Sequence, residues 1–145
     1  MDFLAERARE RHDSFLDSLK KDPVDHLQFD DLITTEHTKL KPLSISIAVD
    51  AKRRFILGAE VSIIPAFGLL AKVSRDKYGR RSNGHKKGLS RLFHRLDGVV
   101  KENATIKSDE HKNYPEFVHK FFPNGHYQRF KGAKGAIVGQ GELKK

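Results

Sequence analysis

Cysteine is absent from the 145 residues, which excludes disulfide bridges and thiolate-held metal ions and fits a reducing cytoplasm. Long hydrophobic runs are missing too, since no apolar stretch reaches the roughly 20 residues a transmembrane helix needs. The opening "MDFLAERARERHDSF" alternates charges where a secretory leader requires an uninterrupted apolar core. No internal repeat occurs, and no low-complexity tract precedes the last 15 residues, "KGAKGAIVGQGELKK", which hold four glycines. Acidic residues are scarce: 19 Asp and Glu stand against 28 Lys and Arg, a formal net charge of +9. That excess favours a polyanionic partner, nucleic acid above all. A chain of this length suits one domain, so the expectation is a soluble, cytoplasmic, basic domain with no membrane partner.

Residues 2–21 set Phe3, Leu4, Phe15, Leu16 and Leu19 among charges, an amphipathic helical pattern that Pro23 ends. "DHLQFDDLITTEHTKL" supplies Leu27, Phe29 and Leu32, a strand with an irregular far end. In "KPLSISIAVD", Leu43, Ile45, Ile47 and Val49 alternate with Ser44, Ser46 and Ala48, the clearest strand signal in the chain. A polar turn from Asp50 to Arg53 leads into "RFILGAEVSI", making a hairpin. After Pro65 and Gly68 the chain turns basic. "KKGLSRLFHRLDGVVKEN" then steps Leu89, Leu92, Phe93, Leu96 and Val99 or Val100 at helical spacing. "ATIKSDE" reads as a strand, "YPEFVHKFFP" as a short helix packing through Tyr114, Phe117, Val118 and Phe121, and "HYQRF" as a fifth strand. Three strands followed by alternating helix and strand predict a mixed sheet with helices packed on it.

In such a sheet the first strand and the strand after the long helix lie side by side. That brings Asp30 or Asp31 near Asp109 across the 78 residues between Asp30 and Asp109. Adjacent carboxylates raise each other's pKa unless a cation sits between them. A hard divalent ion relieves that cost, because it takes oxygen ligands and keeps positions for water or phosphate oxygens, and it suits phosphodiester chemistry. The bland alternative is that both aspartates are turn or cap residues. The stretch Lys72, Arg75, Lys77, Arg80, Arg81, Lys86, Lys87 and Arg91 contains one acid, Asp76. It suits a DNA-backbone surface, which gives affinity without sequence choice, or else a solvated loop. The eight histidines show no paired spacing, so a histidine zinc site is not expected. Phe117, Phe121 and Phe122 follow helical spacing and read as core.

Taken in order, "LQFDDLITTEHTKLKPLSISIAVD", "RRFILGAEVS", "IKSDEHKNY" and "GQGELKK" resemble the catalytic domain of bacterial insertion-sequence transposases of the DDE type, over roughly residues 25–145. The resemblance implies an α/β, ribonuclease H-like mixed sheet with flanking helices. It also implies Mg²⁺ or Mn²⁺, DNA cleavage and strand transfer, element-end and target DNA as partners, and a place at the nucleoid. Carried over, Asp30 in "LQFD" matches the first metal-binding aspartate and Asp109 in "KSDE" the second, with Glu110 a neighbour without a metal role. The third catalytic acid, or the Asn that replaces it in some subgroups, belongs on a helix after the fifth strand and is expected to have lain further on. Glu142 is the only acid after Glu116, 32 intervening residues beyond Asp109, and stands as its substitute, the final helix being expected to be missing. Residues 1–24 form an N-terminal helical segment, where such transposases carry a DNA-recognition module. The resemblance therefore implies a core cut at both ends. Its alternative reading is an inactive fragment that binds DNA, or that pairs with another copy or with a full-length transposase.

Overall fold

A sheet must bury one face, and here the buried side of its second strand is the small one. The computed structural model describes residues 2–131. Within them run α1 (Asp2–Leu19), β1 (Val24–Thr35), β2 (Pro42–Asp50), β3 (Ile56–Ile63), α2 (Leu70–Tyr78), α3 (His85–Arg95), β4 (Val100–Asp109), α4 (Tyr114–Phe121) and β5 (His126–Phe130). The strands form one sheet in the order β3-β2-β1-β4-β5. β1, β2 and β3 pair antiparallel, whereas β4 pairs parallel to both β1 and β5. This mixed sheet with four flanking helices is an α/β architecture compatible with a ribonuclease H-like fold.

Along β2, Ser44, Ser46, Ala48 and Asp50 are buried while Leu43, Ile45, Ile47 and Val49 are only half-buried. The reason is the close seat of α3. A side chain at Gly88 would collide with the Ser62 hydroxyl, and a Cβ at Gly58 would lie 2.8 Å from Leu92 Cδ1. Ser62 pairs with Ser44 and Gly58 with Ala48 across the ladder, so the surface beneath α3 is made of small residues. Leu27 and Phe29 of β1, Ile106 of β4, Leu89, Leu92, Phe93 and Leu96 around α3, and Tyr114, Phe117 and Val118 of α4 join one cluster on this face. Phe29 meets the rings of Phe93 and Tyr114 edge-on, at 5.1 and 4.7 Å between centroids. Leu16 and Leu19 of α1 close the same core. The opposite face leaves Leu32, Ile56, Val61 and Ile63 exposed.

Three local features differ from the sequence reading. The far end of β1 is regular, with pairing continuing to Thr35 opposite Pro42. The long helix stops at Arg95 and β4 begins at Val100, because Gly98 takes a positive φ of 69° that turns the chain out of the helix. Inside the basic stretch lies a further helix, α2, whose Leu70 and Val73 are exposed. It is tied down instead by the Ser74 hydroxyl, which donates to the Leu40 carbonyl at 2.7 Å. The expected loss of a final helix, and Glu142 with it, lies outside the described residues.

Candidate metal centre and basic surface

β1 and β4 run side by side with Gln28 opposite Lys107. Extended two residues past its last paired positions, that register places Asp30 next to Asp109 on the sheet face turned away from the helices, near enough for the Asp109 charge to act on Asp30. Each carboxylate is held locally. The Asp31 N–H donates to Asp30 Oδ1 at 2.7 Å, and the His111 N–H donates to Asp109 Oδ1 at 3.0 Å. Although Asp30 reaches solvent, burial first, and then the charges of Asp109 and Asp31, hold its pKa above the ordinary carboxylate value, against the Asp31 N–H. An oxygen-only donor set under mutual repulsion fits a hard divalent cation. Among the described residues no further acid or histidine forms a ligand group with this pair.

Asp31 points the other way, because successive strand residues alternate faces. It lies opposite Ser46, whose hydroxyl donates to Asp31 Oδ1. His85, the first residue of α3, donates from Nε2 to Asp31 Oδ2, and the Tyr114 ring lies 6.3 Å from the His85 ring. On its far side His85 Nδ1 accepts from Asn113 Nδ2 at 3.1 Å. The His111 ring lies 4.8 Å from the His85 ring and 4.9 Å from that of Tyr114. Burial pushes Asp31 up, but the bonds from His85 and Ser46 outweigh it and its pKa falls below the usual range. Tyr114 is pushed far up by burial, then by Asp31, with Asp109 and Asp30 adding to it. Burial, and after it the neighbouring His85, lowers His111. Sequence reading did not single out His85 or His111. Asp31 and His85 are 54 positions apart, and only the sheet topology brings them together.

The basic residues divide into two groups. Arg81 is turned inward: its guanidinium donates to Glu36 at 2.9 Å and to the carbonyls of Ile64 and Pro42, each at 3.3 Å. It thereby clamps the β1–β2 turn to the segment after β3. Lys86 pairs with Glu116 at 2.6 Å and Arg91 with Glu60 at 3.0 Å. Lys72, Arg75, Lys77, Arg80 and Lys87 make no ion pair among the described residues. Arg75, Arg80 and Arg81 line a cavity of about 410 Å³ between α2 and the loop that follows it.

No protein-family model matches the chain, and no curated protein matches it. Among the described residues no helix is long and apolar enough to cross a membrane. The sheet order and strand directions thus define the class: an α/β domain compatible with a ribonuclease H-like fold, carrying paired carboxylates on adjacent parallel strands.

Proposed function

We propose that this chain derives its function from DNA transposition of the DDE type, with Asp30 and Asp109 holding Mg²⁺ or Mn²⁺ for phosphodiester cleavage and strand transfer. The observation that carries the reading is the lateral adjacency of Asp30 and Asp109, two carboxylates whose repulsion calls for a cation. When bound, the ion supplies activation of the attacking water or 3′-hydroxyl and charge neutralisation at the leaving oxygen. The chain's own contribution is to fix the two carboxylates, through the Asp31 and His111 N–H groups, and to hold the DNA backbone. Lys72, Arg75, Lys77, Arg80 and Lys87 are the side chains suited to phosphate contacts, since Arg81, Lys86 and Arg91 already have acidic partners within the fold.

Incubation with supercoiled DNA tests the reading. Nicking should require Mg²⁺ or Mn²⁺, stop in EDTA, and fall at least about a hundredfold in Asp30→Asn and Asp109→Asn, because each removes a ligand of an ion worth several kcal/mol in the transition state. A chain that binds DNA without metal-dependent nicking fits the second reading, an inactive binding or transposase-pairing fragment. That reading is favoured by one observation: no third ligand joins the pair among the described residues. Binding itself should be steeply salt-dependent. Each of Lys72→Gln, Lys77→Gln and Lys87→Gln should reduce the slope of log K against log salt by about 0.9 in fluorescence-anisotropy titrations.

A further inference from the structure

The helix-covered face of the same sheet holds a second constellation, unlike the first in its chemistry. Asp31, His85 and His111 each offer one donor atom, and these atoms lie within 4.8 Å of one another. They come from three separate elements: the middle of β1, the first turn of α3, and the loop between β4 and α4. Asp31 and His85 are largely enclosed, with side chains 11% and 7% exposed, while His111 is half-buried. We infer that Asp31, His85 and His111 form a binding site for a borderline divalent transition-metal ion, Zn²⁺ or Co²⁺, distinct from the oxygen-only pair on the opposite face.

Donor chemistry separates the two sites. Two imidazoles and one carboxylate suit Zn²⁺, Co²⁺ or Ni²⁺, whereas Mg²⁺ takes oxygen and keeps its waters. The Asp31–His85 hydrogen bond occupies the His85 Nε2 proton. Binding places the ion on Nε2 and shifts the single ring proton from Nε2 to Nδ1, with no net loss of a proton from the ring. Rotation of the Asn113 amide by half a turn then offers its oxygen to the Nδ1–H, the outer partner that metal-bound imidazoles ordinarily have. Ligands around one Zn²⁺ ion stand roughly 3.4 Å apart, given Zn–N bonds of about 2.0 Å, so Asp31 and His85, now in hydrogen-bond contact, must open slightly while His111 closes in from within 4.8 Å. The half-buried His111, carried on a loop, is the group able to make that movement. An ion there would tie β1 to the connection after β4, one residue from Asp30 and two from Asp109, and so brace the backbone beneath the carboxylate pair. This site does not depend on the phosphodiester reading.

The test uses the full chain, stripped with EDTA and titrated with Co²⁺ for its visible d–d absorption and with Zn²⁺ for thermal stabilisation. The expected result is one Co²⁺ equivalent with tetrahedral-type bands, and a Zn²⁺-dependent rise in Tm that is retained in Asp30→Asn, where Mg²⁺ produces none. His111→Ala should abolish both signals, and Asn113→Ala should weaken affinity at least about tenfold. Asp30→Asn, Asp109→Asn and the surface variant His94→Ala should keep them. His111→Ala is the decisive variant, because Asp31→Asn would also strip a largely enclosed carboxylate from its Ser46 and His85 partners. Absence of Co²⁺ bands in the wild type, or bands that survive His111→Ala, overturns the proposal and leaves the cluster a hydrogen-bonded network.

Discussion

Neighbouring residues of a strand face opposite sides of the sheet, and Asp30 and Asp31 show what that alternation does to two identical side chains. Asp31 collects hydrogen-bond donors from Ser46 and His85, which hold its pKa below the usual range against its burial. Asp30 is raised above the ordinary carboxylate value, by burial first and then by the Asp109 charge. A carboxyl whose folded pKa is raised releases a proton more readily in the unfolded chain. Its contribution to stability is therefore present at low pH and is lost as pH rises from the unfolded value of about 3.9 through the raised folded value. At pH 7 in EDTA, Asp30→Asn should therefore be the more stable protein, its Tm in differential scanning calorimetry rising by about a degree or two, the increment being small because solvent screens the site. Adding Mg²⁺ should raise the wild-type Tm and leave that of the variant unchanged.

At the scale of elements, α3 lies on the sheet only because position 88 has no side chain. An alanine at an ordinary helix position gains about 1 kcal/mol over glycine, but at Gly88 the added methyl meets the Ser62 hydroxyl. Gly88→Ala should instead lose about 1–3 kcal/mol in urea unfolding. The Ser62 hydroxyl is buried without a hydrogen-bond partner, so Ser62→Ala should cost little and should restore part of the loss in the double variant. This contact also marks how far the sequence could be read. The alternation of Leu43, Ile45, Ile47 and Val49 locates β2 and its hairpin. It does not say which face the helices take, because that choice rests on Gly58, Ser62 and Gly88 meeting across separate elements. α2 left no periodic signature, since its Leu70 and Val73 face solvent and a side chain to backbone bond holds it. The adjacency of Asp30 and Asp109 follows from element order alone. That of His85 and His111 does not, because it needs the start of α3 and the loop after β4 to converge over Asp31.

For the whole molecule, the net charge of +9 and the exposed Leu32, Ile56, Val61 and Ile63 act in opposite senses. Like charge keeps copies apart, while an open apolar sheet face draws them together. Salt screens the first effect and leaves the second. Self-association in sedimentation velocity should therefore increase with ionic strength, and Val61→Lys should suppress it. The strand order carries a different consequence, one of timing. β1, β2 and β3 are joined by short turns and can pair as soon as they are made, but the other edge of β1 waits for β4, more than 60 residues further along the chain. Closing so long a loop is slow. During synthesis the twelve-residue β1 therefore stands with one side unpaired, a template for any other extended chain, and Asp30 meets Asp109 only when that gap is closed.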